Sequence, residues 1–320
     1  MNVMERISYL EKEVRIESQY QLAGTLAIPN GNEKYPAVLL VAGSGEIDRD
    51  GTITKMKLNT NLYKDLAQMI TSLDFVTLRY DKRGVGASGG QYNETGFWDL
   101  IEDIEAAYQY LKAHPNVDPD KIILLGHSEG SMLITAVSAR IKANGLILLA
   151  GANETLPDAL KRQREIALAE LMNQKGFKGF LFRLFKIDKK AEKQAENFIA
   201  KIMNSTTDTI KYQFTTINAK WHREHFTYNV IEDLKKVAVP ILALTGNKDF
   251  QANPERLKTF PNLDYSEVEW KIINDMDHGL KEYKGEISAI NFKKQYKDSI
   301  GMPLHPDLQE TITQWLQKTV

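Results

Sequence analysis

The sequence predicts an α/β chain, doubly wound about a mostly parallel sheet and carrying a helical cap insertion. Two observations support this. Short apolar runs alternate with amphipathic stretches of helical period, which is the rhythm of βαβ units. That rhythm stops between Asn153 and Tyr228, where charge-rich helical sequence takes over, and then resumes. The expected organisation is a core of residues 1–152 and 229–320, with residues 153–228 inserted between two sheet strands as the cap.

The elements follow in order. Residues 12–18 and 21–28 alternate in polarity and read as an antiparallel pair at a sheet edge. Residues 37–41, 75–80, 121–125, 146–149, 241–244 and 268–273 are apolar runs of the kind buried on both faces of a parallel sheet. Leu62, Leu66, Met69, Ile70 and Leu73 form one helical face, and Leu100, Ile104, Ala107, Tyr108 and Leu111 another. Within the insertion, Phe177, Phe180, Leu181, Phe182, Leu184 and Phe185 are interleaved with Lys175, Lys178, Arg183 and Lys186. They are expected to form a helix that packs its aromatics on the domain. A last helix is expected over residues 306–318, with Asp307 and Glu310 in its first turn and Leu308, Ile312, Trp315 and Leu316 as its stripe. Residues 281–303 show no assignable pattern.

Composition narrows the function. The chain has 320 residues, 42% hydrophobic and 26% charged, with a formal net charge of -1. That balance gives no basic surface for nucleic acid and no acidic tail. There is no cysteine, so disulfides, thiolate metal sites and a cysteine nucleophile are excluded. No apolar run approaches the ~20 residues that span a bilayer. The first thirteen residues carry five charges and no apolar core, so no secretory leader is expected and a cytoplasmic location is. His222 and His225 have a spacing that suggests metal ligation, but no third ligand is near. They are expected to be structural or solvated, with no metal and no cofactor.

Gly126-His127-Ser128-Glu129-Gly130 matches G-x-S-x-G, directly after the run 121–125 and before a helix-compatible stretch. Strand, turn and helix are the context that a nucleophile elbow needs. A second match, Gly86-Ala87-Ser88-Gly89-Gly90, lies in a glycine-rich loop with no helix directly after it. Ser128 is therefore the candidate nucleophile, and a serine hydroxyl needs an adjacent base. Asp249 follows the run 241–244, and His278 follows the run 268–273. This gives the order Ser, acid, His. Asp264, Asp275 and Asp277 are rival acids that fit the order and spacing less well. Ala42-Gly43-Ser44-Gly45 ends the run 37–41. The backbone N–H groups of Ser44 and Glu129 are the candidate oxyanion donors.

These residues, with Asp48-Arg49-Asp50-Gly51 and Arg79-Tyr80-Asp81-Lys82-Arg83-Gly84-Val85-Gly86-Ala87-Ser88, resemble the α/β-hydrolase superfamily. The nearest pattern is a bacterial branch of EstD-type carboxylesterases, close to serine aminopeptidase-like and dienelactone hydrolase-like sequences. The resemblance covers residues 14–151 and 239–278 and leaves the insertion unmatched. It implies an α/β-hydrolase fold and a carboxylesterase acting on a small ester, with short acyl chains, through Ser128, Asp249 and His278 and without a cofactor. Two departures stand out: Ala42 where relatives often have His, and Glu46 where they often have Pro. Asp48, Arg49 and Asp50 are expected to form a structural salt-bridge loop. An aminopeptidase, amidase or thioesterase could use the same triad. Recognition of a free amine would need a placed acid such as Glu46, Glu154, Glu165 or Glu224. A non-catalytic ligand-binding member of the fold is the reading from another class. Neither nucleic acid nor membrane is expected as a partner.

Overall fold

The apolar runs become strands of one eight-stranded sheet, and all but residues 268–273 lie inside it; that run forms an edge strand with Glu269, Trp270 and Lys271 exposed, because no strand covers its outer side. The structure, a computed structural model, describes residues 9–262 and 267–320. In chain order the strands are β1 (Tyr9–Glu17), β2 (Gln21–Pro29), β3 (Tyr35–Val41), β4 (Thr52–Ile53), β5 (Leu58–Asn59), β6 (Val76–Tyr80), β7 (Val117–His127), β8 (Gly145–Leu149), β9 (Thr209–Tyr212), β10 (Thr215–Asn218), β11 (Ile241–Gly246) and β12 (Val268–Ile273). The helices are α1 (Leu62–Thr71), α2 (Phe97–Ala113), α3 (Glu129–Ser138), α4 (Leu156–Met172), α5 (Gly176–Leu184), α6 (Ile187–Met203), α7 (Ala219–Thr227), α8 (Val230–Leu234), α9 (Phe292–Asp298) and α10 (Pro306–Thr319).

The main sheet runs β1-β2-β6-β3-β7-β8-β11-β12. The β1–β2 and β2–β6 pairs are antiparallel, and all later pairs are parallel. The central strands β3, β7, β8 and β11 are mainly apolar because each feeds two cores. Leu124 of β7 joins the core with α2, α3 and α8. Its neighbours Ile123 and Leu125 join the core with α1 and α10. Strand side chains alternate between faces, so a strand covered on both sides has no polar face to show. The C-terminal ends of β3, β7, β11 and β12 all open toward one edge, where an open parallel sheet collects its ligand site.

Between β8 and β11 the chain leaves the sheet for α4 to α7. A small hairpin, β9–β10, interrupts the helices, where sequence periodicity predicts no strand. The strands have four residues each, and their turn uses Gln213 and Phe214, both at positive φ. Such turns normally show Asn-Gly or Gly in the sequence, so the usual signal is absent. The aromatics of α5 also depart from expectation. Phe177 is 73% exposed, Phe180 52%, Leu184 58% and Phe185 53%, so they do not pack on the domain. The helix instead turns its buried Gly179 inward, with Leu181 and Phe182 half-buried beside it.

The unassigned stretch before α10 contains α9, tied back by isolated bridges from Met276 to Glu282 and from Lys281 to Leu304. Asp264 lies outside the described residues. Among the described residues, no helix is long and apolar enough to cross a membrane, and no cluster of acid or histidine side chains could hold a metal.

Candidate active site

Ser128 sits between β7 and α3 with φ 55° and ψ -119°. A positive φ costs a β-carbon residue energy, and such strain concentrates where a side chain must be presented. The flanking glycines make the turn possible. A β-carbon on Gly126 would overlap the Gly130 carbonyl, and one on Gly130 would overlap the carbonyl of Val41. The Ser128 N–H is fixed on the Leu149 carbonyl at 2.8 Å. The N-terminus of α3, with its unpaired N–H groups, therefore begins at Ser128, the candidate nucleophile. Ser88, in the second G-x-S-x-G, is used structurally. Its hydroxyl donates to the Asp81 carbonyl at 2.6 Å and accepts the Ala23 N–H at 2.9 Å.

Asp249 leaves the end of β11 and is buried. Its Oδ1 accepts the N–H groups of Gln251 at 2.8 Å and Ala252 at 2.9 Å. Its Oδ2 faces His278 Nδ1 at 2.8 Å. A carboxylate only accepts, so Nδ1 carries a proton, which leaves Nε2 as the basic nitrogen. Burial alone would lower the pKa of His278, but the Asp249 charge and hydrogen bond overcome it, and the net shift is upward from 6.5. Ser128 and His278 line one cavity together. Asp277 is engaged elsewhere: its carboxylate accepts the Lys281 N–H at 3.0 Å.

A second network fixes the loop that carries Ser44. The Gly43 N–H donates to Tyr63 Oη at 2.7 Å, and Tyr63 Oη lies 3.2 Å from His127 Nδ1. His127 Nε2 lies 2.8 Å from the His278 carbonyl. A carbonyl only accepts, so Nε2 holds the His127 proton and Tyr63 donates to Nδ1. Burial, with His278 adjacent, pushes the His127 pKa down to about 3, so the ring is neutral at pH 7. On the other side of the loop, the buried ammonium of Lys82 donates to the Gly43 carbonyl. Lys82 lies 3.7 Å from Glu129 Oε2. Glu129 Oε1 accepts Trp221 Nε1–H at 2.6 Å and lies 2.9 Å from His225 Nε2. Burial opposes ionisation of Glu129, but Lys82, His225 and Trp221 outweigh it and hold its carboxyl at about 2. His225 is thus structural, as its sequence context predicts, and it ties the insertion to the elbow.

Arg162 of α4 makes a further tie. It donates to the carbonyls of Phe250 and Gln251, each at 2.7 Å, and pairs with both oxygens of Glu154 at 2.9 Å. The insertion is therefore bonded to the loop that carries Asp249. Arg162→Ala is expected to lower kcat several-fold and to raise protease sensitivity near residue 251, which limited proteolysis with mass spectrometry would show.

The structure brings Asp249 and His278 into contact, and Ser128 and Ser44 share one cavity with His278 and an adjoining one with Glu129. Among the described residues, the Ser44 N–H meets no acceptor of the chain. Lys82, Tyr63 and His127 are site residues that sequence reasoning assigns no role. The one hint is Lys82, a cation two residues after the fully buried β6. Asp48, Arg49 and Asp50 form the expected ionic loop. Asp50 pairs with Arg79 at 2.7 Å, Arg49 pairs with Glu13 at 2.7 Å, and Asp48 caps the turn above them.

Fold, strained elbow and histidine–aspartate pair define the α/β-hydrolase class. The model of the serine aminopeptidase S33 family matches residues 56–282, and the chain belongs to that family. It is similar to esterase EstD of Thermotoga maritima, 27% identical over 294 residues, which is 90% of this chain and 64% of that protein. The chain thus spans less than two thirds of that relative's length. Two solved structures share the fold. Est1E from Butyrivibrio proteoclasticus with ferulic acid bound is 19% identical with a TM-score of 0.57, covering 89% of this chain and 96% of that one. The Pyrococcus furiosus esterase Pf2001 is 14% identical with a TM-score of 0.59, covering 100% of this chain and 94% of that one.

Proposed function

We propose that this chain is a serine hydrolase that cleaves carboxylic esters of short acyl chains through an acyl-enzyme. The observation that carries this reading is the His278–Asp249 hydrogen bond beside a serine at positive φ. His278 Nε2 takes the proton as Ser128 Oγ attacks the carbonyl, and Asp249 steadies the resulting imidazolium. The N–H groups of Ser44 and Glu129 receive the developing oxyanion. Water then releases the acyl group with His278 again as base.

The family's aminopeptidase name raises the rival substrate, a free amino terminus. The candidate acids argue against it. Glu46 is paired with Lys55 at 2.6 Å, and Glu154 is held by Arg162 on both oxygens. Glu165 lies on a surface of the insertion away from Ser128. Glu224 accepts the N–H of Trp98 at 3.1 Å. Glu46, Glu154 and Glu224 are thus already engaged, which disfavours them as binders of an ammonium. Labelling with a fluorophosphonate, followed by mass spectrometry, is expected to modify Ser128. A p-nitrophenyl ester series is expected to turn over faster than aminoacyl anilides, and the opposite ranking would overturn the ester reading.

The role of Lys82 follows from peptide geometry. The Gly43 C=O and Ser44 N–H belong to one planar trans peptide and point in opposite directions. An ammonium on the C=O therefore aims and polarises the N–H on the far side. Lys82→Met is expected to lower kcat by about ten- to a hundredfold with KM little changed, somewhat less than loss of a whole oxyanion donor. Steady-state kinetics checks this. A change confined to KM would show that Lys82 acts on substrate binding and not on the oxyanion.

A further inference from the structure

Two cavities meet at Ser128, and both are lined by Ser44, Ser128 and Gln251. The first, about 250 Å³, also reaches His278, and its walls include Ile47, Ile53, Met56, Leu62 and Phe292. The second, about 160 Å³, reaches Glu129 in place of His278 and is bounded by Met132, Leu156, Leu160, Trp221 and His225. We infer that the first cavity receives the alcohol part of the ester and the second its acyl part, so that the substrates are short-acyl esters of bulky apolar alcohols. This rests on the serine-hydrolase reading above.

The assignment follows from the chemistry of the intermediate. Attack by Ser128 Oγ leaves a carbon bearing four groups: that Oγ, the oxyanion, the alcohol oxygen and the acyl carbon. The proton taken from Ser128 sits on His278 Nε2. As the bond from carbon to the alcohol oxygen breaks, that proton passes to the leaving oxygen, which departs as a neutral alcohol. Proton transfer needs a heavy-atom separation of about 2.6–3.2 Å. The leaving oxygen must therefore lie on the His278 side, in the first cavity. The oxyanion is held at Ser44 and Glu129. The acyl chain is the group left over, and the open space without His278 is the second cavity. Water for deacylation enters the emptied first cavity, where His278 accepts its proton.

The two linings then set the substrate. The alcohol cavity is the larger of the two, and its wall is mainly apolar, with Thr60, Gln251, Lys281 and Ser299 also on it. The acyl cavity is smaller and carries the ionised Glu129 with Trp221 and His225 against it. A long hydrocarbon chain would be crowded against Met132 and Trp221 in that smaller volume. Short acyl groups avoid that contact.

The test is a two-way ester series assayed with the full chain. Methyl, butyl and cyclohexylmethyl acetates vary the alcohol, and methyl acetate, hexanoate and decanoate vary the acyl group. For the wild type, kcat/KM is expected to rise at least about tenfold along the first series and to fall by about as much along the second, the scale on which apolar pockets discriminate. Leu160→Trp should steepen only the acyl dependence and slow deacylation, read from the burst and steady-state phases. Ile53→Trp should reverse only the alcohol dependence and leave the slope of the acyl series as in the wild type. Opposite slopes in the wild type, or a Leu160→Trp effect on the alcohol series alone, would overturn the assignment. The wild-type slopes decide the matter even if a variant misfolds. Absence of turnover with every ester, together with no fluorophosphonate label on Ser128, would instead defeat the hydrolase reading itself.

Discussion

Ser128→Ala is expected to lower kcat for a p-nitrophenyl ester by roughly a millionfold, the scale seen when a triad serine is removed. The loss is this large because the alanine has no atom that can form the acyl bond, so the two-step route disappears. The N–H groups of Ser44 and Glu129 remain and keep some acceleration over water. Two measurements check the prediction together. Ester turnover should fall to near background, and the fluorophosphonate label should vanish. The fold should survive, because Ser128 is joined to the sheet through its N–H on Leu149 and not through its hydroxyl. A variant that retained a tenth of wild-type turnover would place the nucleophile elsewhere.

Asp249→Asn is the second. An amide at this position can offer an N–H toward His278 Nδ1, which turns the imidazole into the wrong tautomer. In a comparable triad that exchange costs about ten-thousandfold in kcat. It should also move the pH profile. His278 must be neutral to act as base, and in the wild type the Asp249 charge raises its pKa. Wild-type activity should therefore be lost on acidification along a limb centred above about pH 6.5, the ordinary value for histidine. Without the carboxylate charge, burial acts unopposed by its main counterweight, and the limb should move to lower pH. Measuring kcat/KM from pH 5 to 9 for both proteins tests this. An unmoved limb in the variant would mean that another group is the titrating base.

Much of this candidate site can be proposed from the sequence because its geometry depends on local context. Ser128 can be picked over Ser88 because only the first follows a buried strand and precedes a helix. Asp249 and His278 can be picked because each follows the end of a strand. The supporting shell is not legible in that way. Tyr63 reaches His127 across 64 residues, and Trp221 reaches Glu129 across 92. No periodicity encodes such pairings. Tyr63 also lies on the apolar face of α1, where its ring reads as core. The exposed α5 aromatics mislead for the opposite reason. An amphipathic stripe predicts that a face is apolar but not that anything covers it. The β9–β10 hairpin is missed because four-residue strands hold too few alternations to stand out.

The anchors of the insertion bear on how the protein can be re-engineered. Arg162 grips the loop of Asp249, and Trp221 with His225 grips Glu129, the residue after Ser128. A graft that exchanges the whole segment from α4 to α7 for that of a homologue would leave Glu129 buried with two of its neighbours gone. A graft confined to α5 and α6 would leave those grips untouched. Chimeras meant to keep Glu129 and the Asp249 loop intact should therefore be spliced between the end of α4 and the start of β9.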